Sequence, residues 1–351
     1  MKRDSVFPDS LPDVTEMPSH GGDLAAAAAR FGWPAEGWLD LSTGINPYAY
    51  PLPAISPEAW HRLPDAKAEH ALIAAACCCY GVARPSHVVA GPGSQALIQW
   101  LPYLVPVSRV TIVGLTYGEH AAAWSAAGHH VDVRENEQVD PGSRVVVVVN
   151  PNNPEGRRLD PDGLVALGSG LTRRGGLVVV DEAFADVSPD ISLADRVGPG
   201  VVVLRSFGKF FGLAGVRIGF AICTPPLAGE LRRAVGPWAV SGPAIAVATA
   251  ALNDEGWIAQ MRLRLSIEAS ALDSVLAEAG LMVTGGTDLF RLVTAPRAWA
   301  LYEYLGSRGI LTRPFASAPR LLRFGLPGGA EALERLRCAL GEWGVDGTSV
   351  R

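Results

Sequence analysis

At 351 residues the chain has room for one large domain and a smaller companion. A hydrophobic content of 48% with 19% charged residues excludes a disordered chain, and a formal net charge of -5 excludes the basic footprint of a nucleic-acid binder. No stretch approaches the run of about 18 apolar residues that spans a bilayer, and residues 1–18 lack the apolar core of a signal peptide.

In chain order, residues 1–57 are rich in Pro and Gly and read as an arm with one short helix over 24–31. Residues 68–80 follow as a helix, 86–89 as a short strand, 94–104 as a helix, 109–113 as a strand and 119–127 as a helix. The segments 144–149, 177–180 and 201–204 are continuous Val/Leu runs without alternation. Parallel strands covered by helices on both faces have this pattern. Strands and helices alternating over such a length imply a doubly wound α/β domain. Beyond residue 244 the character changes to longer amphipathic helices over 257–279 and 330–342, with short strands near 288–293 and 321–324. The expected organisation is an arm of residues 1–57 contributing to the small domain, a large domain over 58–243 and a small α+β domain over 244–351.

Cys77, Cys78 and Cys79 are adjacent, and with Cys223 and Cys338 they match neither a disulfide framework nor a metal-ligand spacing. They read as small buried hydrophobes on a helix, and no metal is expected. Free thiols point to a reducing compartment, so the cytoplasm is the expected location.

Four motifs fall at the carboxyl ends of predicted strands, where open α/β sheets place their ligands. Gly91-Pro92-Gly93-Ser94-Gln95 leads into a helix and offers backbone N–H groups suited to phosphate, or else is a turn with a Ser cap. Asn150-Pro151-Asn152-Asn153-Pro154-Glu155-Gly156 is a rigid loop that can present the Asn153 amide, or else a plain turn. Asp181 ends a buried strand, where a carboxylate is costly unless a cation meets it. A protonated pyridine nitrogen is one such partner, and a helix cap is the other reading. Lys209, in Ser206-Phe207-Gly208-Lys209, is isolated in a glycine-rich aromatic segment. It suits Schiff-base chemistry, the alternative being a snorkelling surface lysine. Arg217, eight residues on, is a fork-shaped cation suited to phosphate.

Asn, Asp, Lys and Arg in that order, each after its own strand, resemble the pattern of fold-type I pyridoxal-phosphate (PLP) enzymes. The resemblance runs from His20 to Arg323. The chain is similar to the histidinol-phosphate aminotransferase branch, and most similar to the threonine-phosphate decarboxylase family of cobalamin biosynthesis. The resemblance implies an aspartate aminotransferase-like fold and a homodimer. Lys209 would carry PLP as a Schiff base and later move the proton at the substrate Cα. Asp181 would keep the pyridine nitrogen protonated, so that the ring acts as an electron sink. Asn153 would bond the ring's phenolic oxygen, Tyr117 would stack on the ring, and Ser94, Gln95, Ser206 and Arg217 would hold the phosphate. Arg323 matches the arginine that pairs with a substrate carboxylate, and Arg313 resembles the one that meets a substrate phosphate. His20 and Gly44 lie in the matching arm motifs His20-Gly21-Gly22-Asp23 and Asp40-Leu41-Ser42-Thr43-Gly44-Ile45-Asn46-Pro47. His20 could donate to the substrate phosphate, or be an ordinary turn histidine.

Three positions depart from the general aminotransferase pattern. Phe184 stands where many relatives have a tyrosine, Leu63 where a tyrosine crosses to the neighbouring subunit, and Gly208 where Ser or Thr precedes the lysine. The implied reaction is decarboxylation of L-threonine O-3-phosphate to (R)-1-amino-2-propanol O-2-phosphate. No motif decides between that and transamination, so a histidinol-phosphate aminotransferase is the alternative. A non-catalytic PLP-fold binding protein is a third reading, opposed by the presence of Lys209, Asp181 and Asn153.

Overall fold

The computed structural model describes residues 20–134 and 139–346. The reading of residues 1–18 as a segment without a signal peptide lies outside them. The chain divides into two compact units: one holds the residues up to Tyr48 and those from Met261 onward, the other holds Ala49–Gln260.

The larger unit is built on seven strands. Their order is Val88–Gly91, Gly219–Ile222, Val201–Ser206, Leu177–Asp181, Val145–Val149, Arg109–Val113 and His130–Arg134. All neighbours are parallel except Gly219–Ile222, which runs antiparallel to both of its partners. The valine runs sit at the centre of this sheet. Val145 through Val149 and Val178 through Val180 are buried, as continuous apolar strands under two helical layers must be. Leu97, Ile98, Trp124 and Leu231 pack against them.

Proline accounts for two departures from the predicted elements. Pro85 opens a 3-10 turn over Pro85–His87, so the first strand begins at Val88. Pro102, with no N–H to give, ends the predicted helix early. The α-helix spans Ser94–Trp100, and a 3-10 turn covers Leu101–Leu104. The cysteine run lies on helix Ala66–Tyr80, but only Cys77 is buried; Cys78 is exposed and Cys79 half-buried. Successive helical residues point about 100° apart, so three in a row cannot share one face.

The smaller unit holds a four-stranded antiparallel sheet in the order Arg313–Pro314, Leu321–Gly325, Phe290–Thr294, Met282–Thr287. The predicted strand near 288–293 is thus half of a hairpin, with Asp288 in its turn. Leu39–Asp40 pairs in parallel with Ile310–Leu311, which fixes this part of the arm to the unit. The units part at Tyr48/Ala49 and Gln260/Met261, rather than after residues 57 and 243. Tyr50 N–H donates to the Phe211 carbonyl at 2.9 Å and its ring meets Trp257, while helix Gly242–Leu252 packs on Ala66–Tyr80. Those contacts keep residues 49–57 and 244–260 with the large sheet. Among the described residues no helix is long and apolar enough to cross a membrane.

Candidate active site

In the larger unit the strand ends form a row. Ser206 stands opposite Gly219, and Gly219 opposite Gly91, so three neighbouring strands bring these residues side by side. Gly219 has no room for a side chain, because a Cβ there would lie 2.2 Å from the Ser94 backbone nitrogen. The loop Gly91–Ser94 therefore sits directly over the end of the Gly219–Ile222 strand. Gly93 has φ +84, and a Cβ on it would lie 2.6 Å from Arg217 Nη2. The guanidinium of Arg217 thus occupies the space the missing side chain leaves, next to Ser94. Arg217 itself is held in the left-handed region at φ 56, a conformation that a non-glycine residue rarely adopts. Strain of this kind gathers at functional sites. The result is a cradle of backbone, hydroxyl and guanidinium donors.

Beside it, Tyr117 Oη donates to Gln95 Oε1 at 2.9 Å, and Gln95 Nε2 donates to Glu119 Oε2 at 2.9 Å. Burial pushes the Tyr117 phenol up to about 12; the carboxylates of Glu119 and Asp181 add to the rise and Arg217 opposes it. Tyr117 therefore stays protonated near neutral pH and senses both Asp181 and Arg217. Asp181, 3% exposed, ends its strand and pairs with His120 Nε2 at 2.8 Å, while its other oxygen accepts the Ala183 N–H at 2.9 Å. Two donors fix this carboxylate where a cationic nitrogen can meet it.

Asn153 is half-buried in the loop that follows Val149. Its neighbour Asn152 is the loop's anchor. The Asn152 amide donates to the Leu115 carbonyl and to Glu155 Oε1, each at 2.8 Å, and its carbonyl oxygen accepts Thr116 Oγ1 at 2.6 Å. The loop carrying Asn153 is thereby tied to the residues just before Tyr117. Lys209 lies on the short helix Phe207–Phe210, half-buried, with Nζ 5.6 Å from the Phe184 ring centre. Gly208 has a steric cause: a Cβ there would lie 2.7 Å from Ala214 Cα, so Ser or Thr would collide with backbone. Behind the row, buried Arg205 pairs with Glu182 at 2.7 Å and Asp186 at 2.6 Å, clamping the residues next to Asp181 and Ser206.

Sequence reasoning did not single out His120. Its signal was its place three residues after Tyr117 on helix Gly118–Ala126, the spacing that puts two side chains on one helix face.

In the smaller unit Arg313 and Arg323 stand directly opposite across antiparallel strands. Arg323 is 6% exposed, and burial with the neighbouring Arg313 charge pushes it down to about 9, Asp40 opposing. Burial lowers Arg313 as well. Arg323 Nη2 donates to the Ser42 carbonyl at 2.8 Å. Two like charges brought together under partial burial call for anions. Gly44 is buried and His20 exposed in the same unit.

The larger unit's donor set suits PLP. The Arg217 cradle matches a phosphate, the braced Asp181 matches a pyridine nitrogen, and Lys209 offers an amine above Phe184. Residues 37–339 match the family Aminotransferase class I and II. The chain is 47% identical over 328 residues to a threonine-phosphate decarboxylase of Pseudomonas aeruginosa, covering 92% of this chain and 97% of the relative. Histidinol-phosphate aminotransferase from Sinorhizobium meliloti, solved in complex with PLP, superposes with a TM-score of 0.77 at 22% identity, covering 97% of each chain. L-threonine-O-3-phosphate decarboxylase from Porphyromonas gingivalis gives 0.73 at 17% identity, covering 86% of this chain and 98% of that one. These two superpositions speak for the fold.

Proposed function

The chain belongs to the aminotransferase class I and II family, and from that premise we propose that it is a PLP-dependent decarboxylase of L-threonine O-3-phosphate. The product is (R)-1-amino-2-propanol O-2-phosphate, a building block for cobalamin. The observation that carries this reading is the near full-length identity to a threonine-phosphate decarboxylase. The arginine pair supports it, because a substrate with a carboxylate and a phosphate offers one anion to each guanidinium.

PLP, when bound, supplies an electron-accepting ring for the electron pair left at Cα as carbon dioxide departs. Ser94, Gln95, Ser206 and Arg217 are assigned its phosphate, Asn153 its phenolic oxygen, Tyr117 its face and Lys209 the covalent attachment. Asp181, oriented by His120 and the Ala183 N–H, would hold a proton on the ring nitrogen. Arg323 is assigned the substrate carboxylate and Arg313 the substrate phosphate, with His20 and Gly44 in the arm beside them. The Cα–carboxyl bond breaks and Lys209 Nζ delivers a proton to Cα. In transamination the lysine instead begins by removing one. A homodimer in the cytoplasm belongs to the same proposal.

The test is to incubate the pure holoenzyme with threonine phosphate and follow carbon dioxide. One carbon dioxide per amine formed supports the reading. Glutamate-dependent conversion of histidinol phosphate without carbon dioxide contradicts it.

A further inference from the structure

Ser42 joins three segments of the smaller unit. Its hydroxyl accepts the Gly22 N–H at 2.7 Å and donates to Asp40 Oδ1 at 2.5 Å. Its own N–H donates to the same Asp40 oxygen at 2.8 Å, and its carbonyl accepts Arg323 Nη2 at 2.8 Å. Ser42 is 1% exposed, so water does not compete for these bonds. Asp40, by drawing the hydroxyl proton toward itself, leaves the Ser42 oxygen lone pairs turned to Gly22.

The surrounding backbone is fixed without the hydroxyl. Leu41 N–H donates to the Leu311 carbonyl at 2.7 Å, and Gly325 N–H donates to the Leu41 carbonyl at 2.7 Å. The arm's approach is also steric: a Cβ on Gly21 would lie 2.3 Å from the Ser42 carbonyl oxygen and 2.9 Å from its hydroxyl. One oxygen atom and one missing methyl group therefore bring the segment 20–22 against the residue whose carbonyl holds Arg323.

We propose that Ser42 is a positioning residue that latches the His20–Gly22 segment beside the Arg313–Arg323 pair, and thereby sets selectivity for an amino acid carrying a second anionic group. The inference rests on the phosphorylated substrate assigned above. A lone carboxylate is met by one guanidinium. A phosphate has three oxygens to satisfy, more than one further arginine fills, and the segment latched to Ser42 through Gly22 carries the exposed His20. Removing the latch loosens the arm while leaving the sheet and the Ser42 carbonyl in place.

The test titrates O-phospho-L-threonine and L-threonine separately into holoenzyme, following the cofactor absorbance, for the wild type, Ser42→Ala and Gly21→Ala. Gly21→Ala leaves the Ser42 and Asp40 side chains themselves unaltered and drives the segment 20–22 off the Ser42 backbone by the clash of its Cβ, so it reads the latch even if Ser42→Ala fails to fold. Loss of one ordinary hydrogen bond predicts a roughly threefold to tenfold weaker Kd for the phosphorylated amino acid in both variants, with L-threonine within about twofold. A folded variant that binds phosphothreonine as the wild type does overturns the inference. So does an equal loss for both amino acids, or a wild type that binds the two alike. Because binding is read rather than turnover, tight binding without carbon dioxide release counts against the proposed reaction while the variants still judge the latch.

Discussion

Replacing Gly93 by alanine probes the Arg217 cradle directly. Gly93 has φ 84 and ψ 156, a region almost reserved for glycine, so the methyl group costs about 1–3 kcal/mol of backbone strain. Its Cβ would also lie 2.6 Å from Arg217 Nη2 and 3.1 Å from Cζ, well inside the ~3.5–4.0 Å of ordinary contact. The guanidinium is the far end of a flexible chain, so it moves and the backbone stays. Moving it removes a charge-assisted contact worth about 1.5–3 kcal/mol, which is roughly tenfold to 150-fold in PLP affinity. The assay titrates PLP into apo-protein and follows fluorescence quenching, with urea unfolding run in parallel to read the strain. A folded Gly93→Ala protein with wild-type PLP affinity refutes the reasoning. The double variant Gly93→Ala/Arg217→Ala should bind PLP no more weakly than Arg217→Ala alone. Any further loss means that Gly93 acts by another route.

His120→Ala leaves a buried oxygen of Asp181 without its donor, and urea unfolding should show a loss of about 1–3 kcal/mol. Unchanged stability would mean that the pair has no structural weight. Arg313→Gln removes a like charge opposite Arg323, so ligand-free protein should gain about 0.2–1 kcal/mol at neutral pH while threonine-phosphate binding weakens. A loss of stability, or undiminished binding, contradicts the assignment. Tyr117 has its pKa raised to about 12 from the ordinary 10.0, so the folded state keeps a proton that the unfolded chain gives up. Its contribution is fully present below pH 10 and is lost as pH rises toward 12. Wild-type stability should therefore fall more steeply than that of Tyr117→Phe across that window, and parallel profiles would exclude the assigned burial.

The parts of the fold legible in the sequence were those where burial alone dictates residue type. Residues 145–149 and 178–180 are covered on both faces and had to be apolar. Strands governed by local geometry were not legible. Gly219–Ile222 begins with a glycine demanded by the Ser94 backbone, and His130–Arg134 is an edge strand with no fully buried residue, where Val133 is exposed and Asp132 and Arg134 are half-buried. Met282–Thr287 contains Gly285 and Gly286 and reads as a turn until its partner strand is known. In the candidate site, Lys209, Asp181 and Arg217 were legible because a charge in an apolar or glycine-rich setting needs a reason. His120 and Ser42 were not, since each acts through a partner that is distant in sequence. A histidine on a helix and a serine in a loop acquire meaning once Asp181, or Gly22 and Arg323, are known to touch them.

Lys209 is assigned the delivery of a proton to Cα after carbon dioxide has left. That role is tested most directly with carboxyl-13C L-threonine O-3-phosphate in deuterium oxide, read by NMR. The label is expected to leave as carbon dioxide and the amine carbon to gain one deuterium, with neither change in Lys209→Ala. Deuterium entering Cα while the 13C label stays on the amino acid would contradict it, because that is the proton exchange of an aminotransferase.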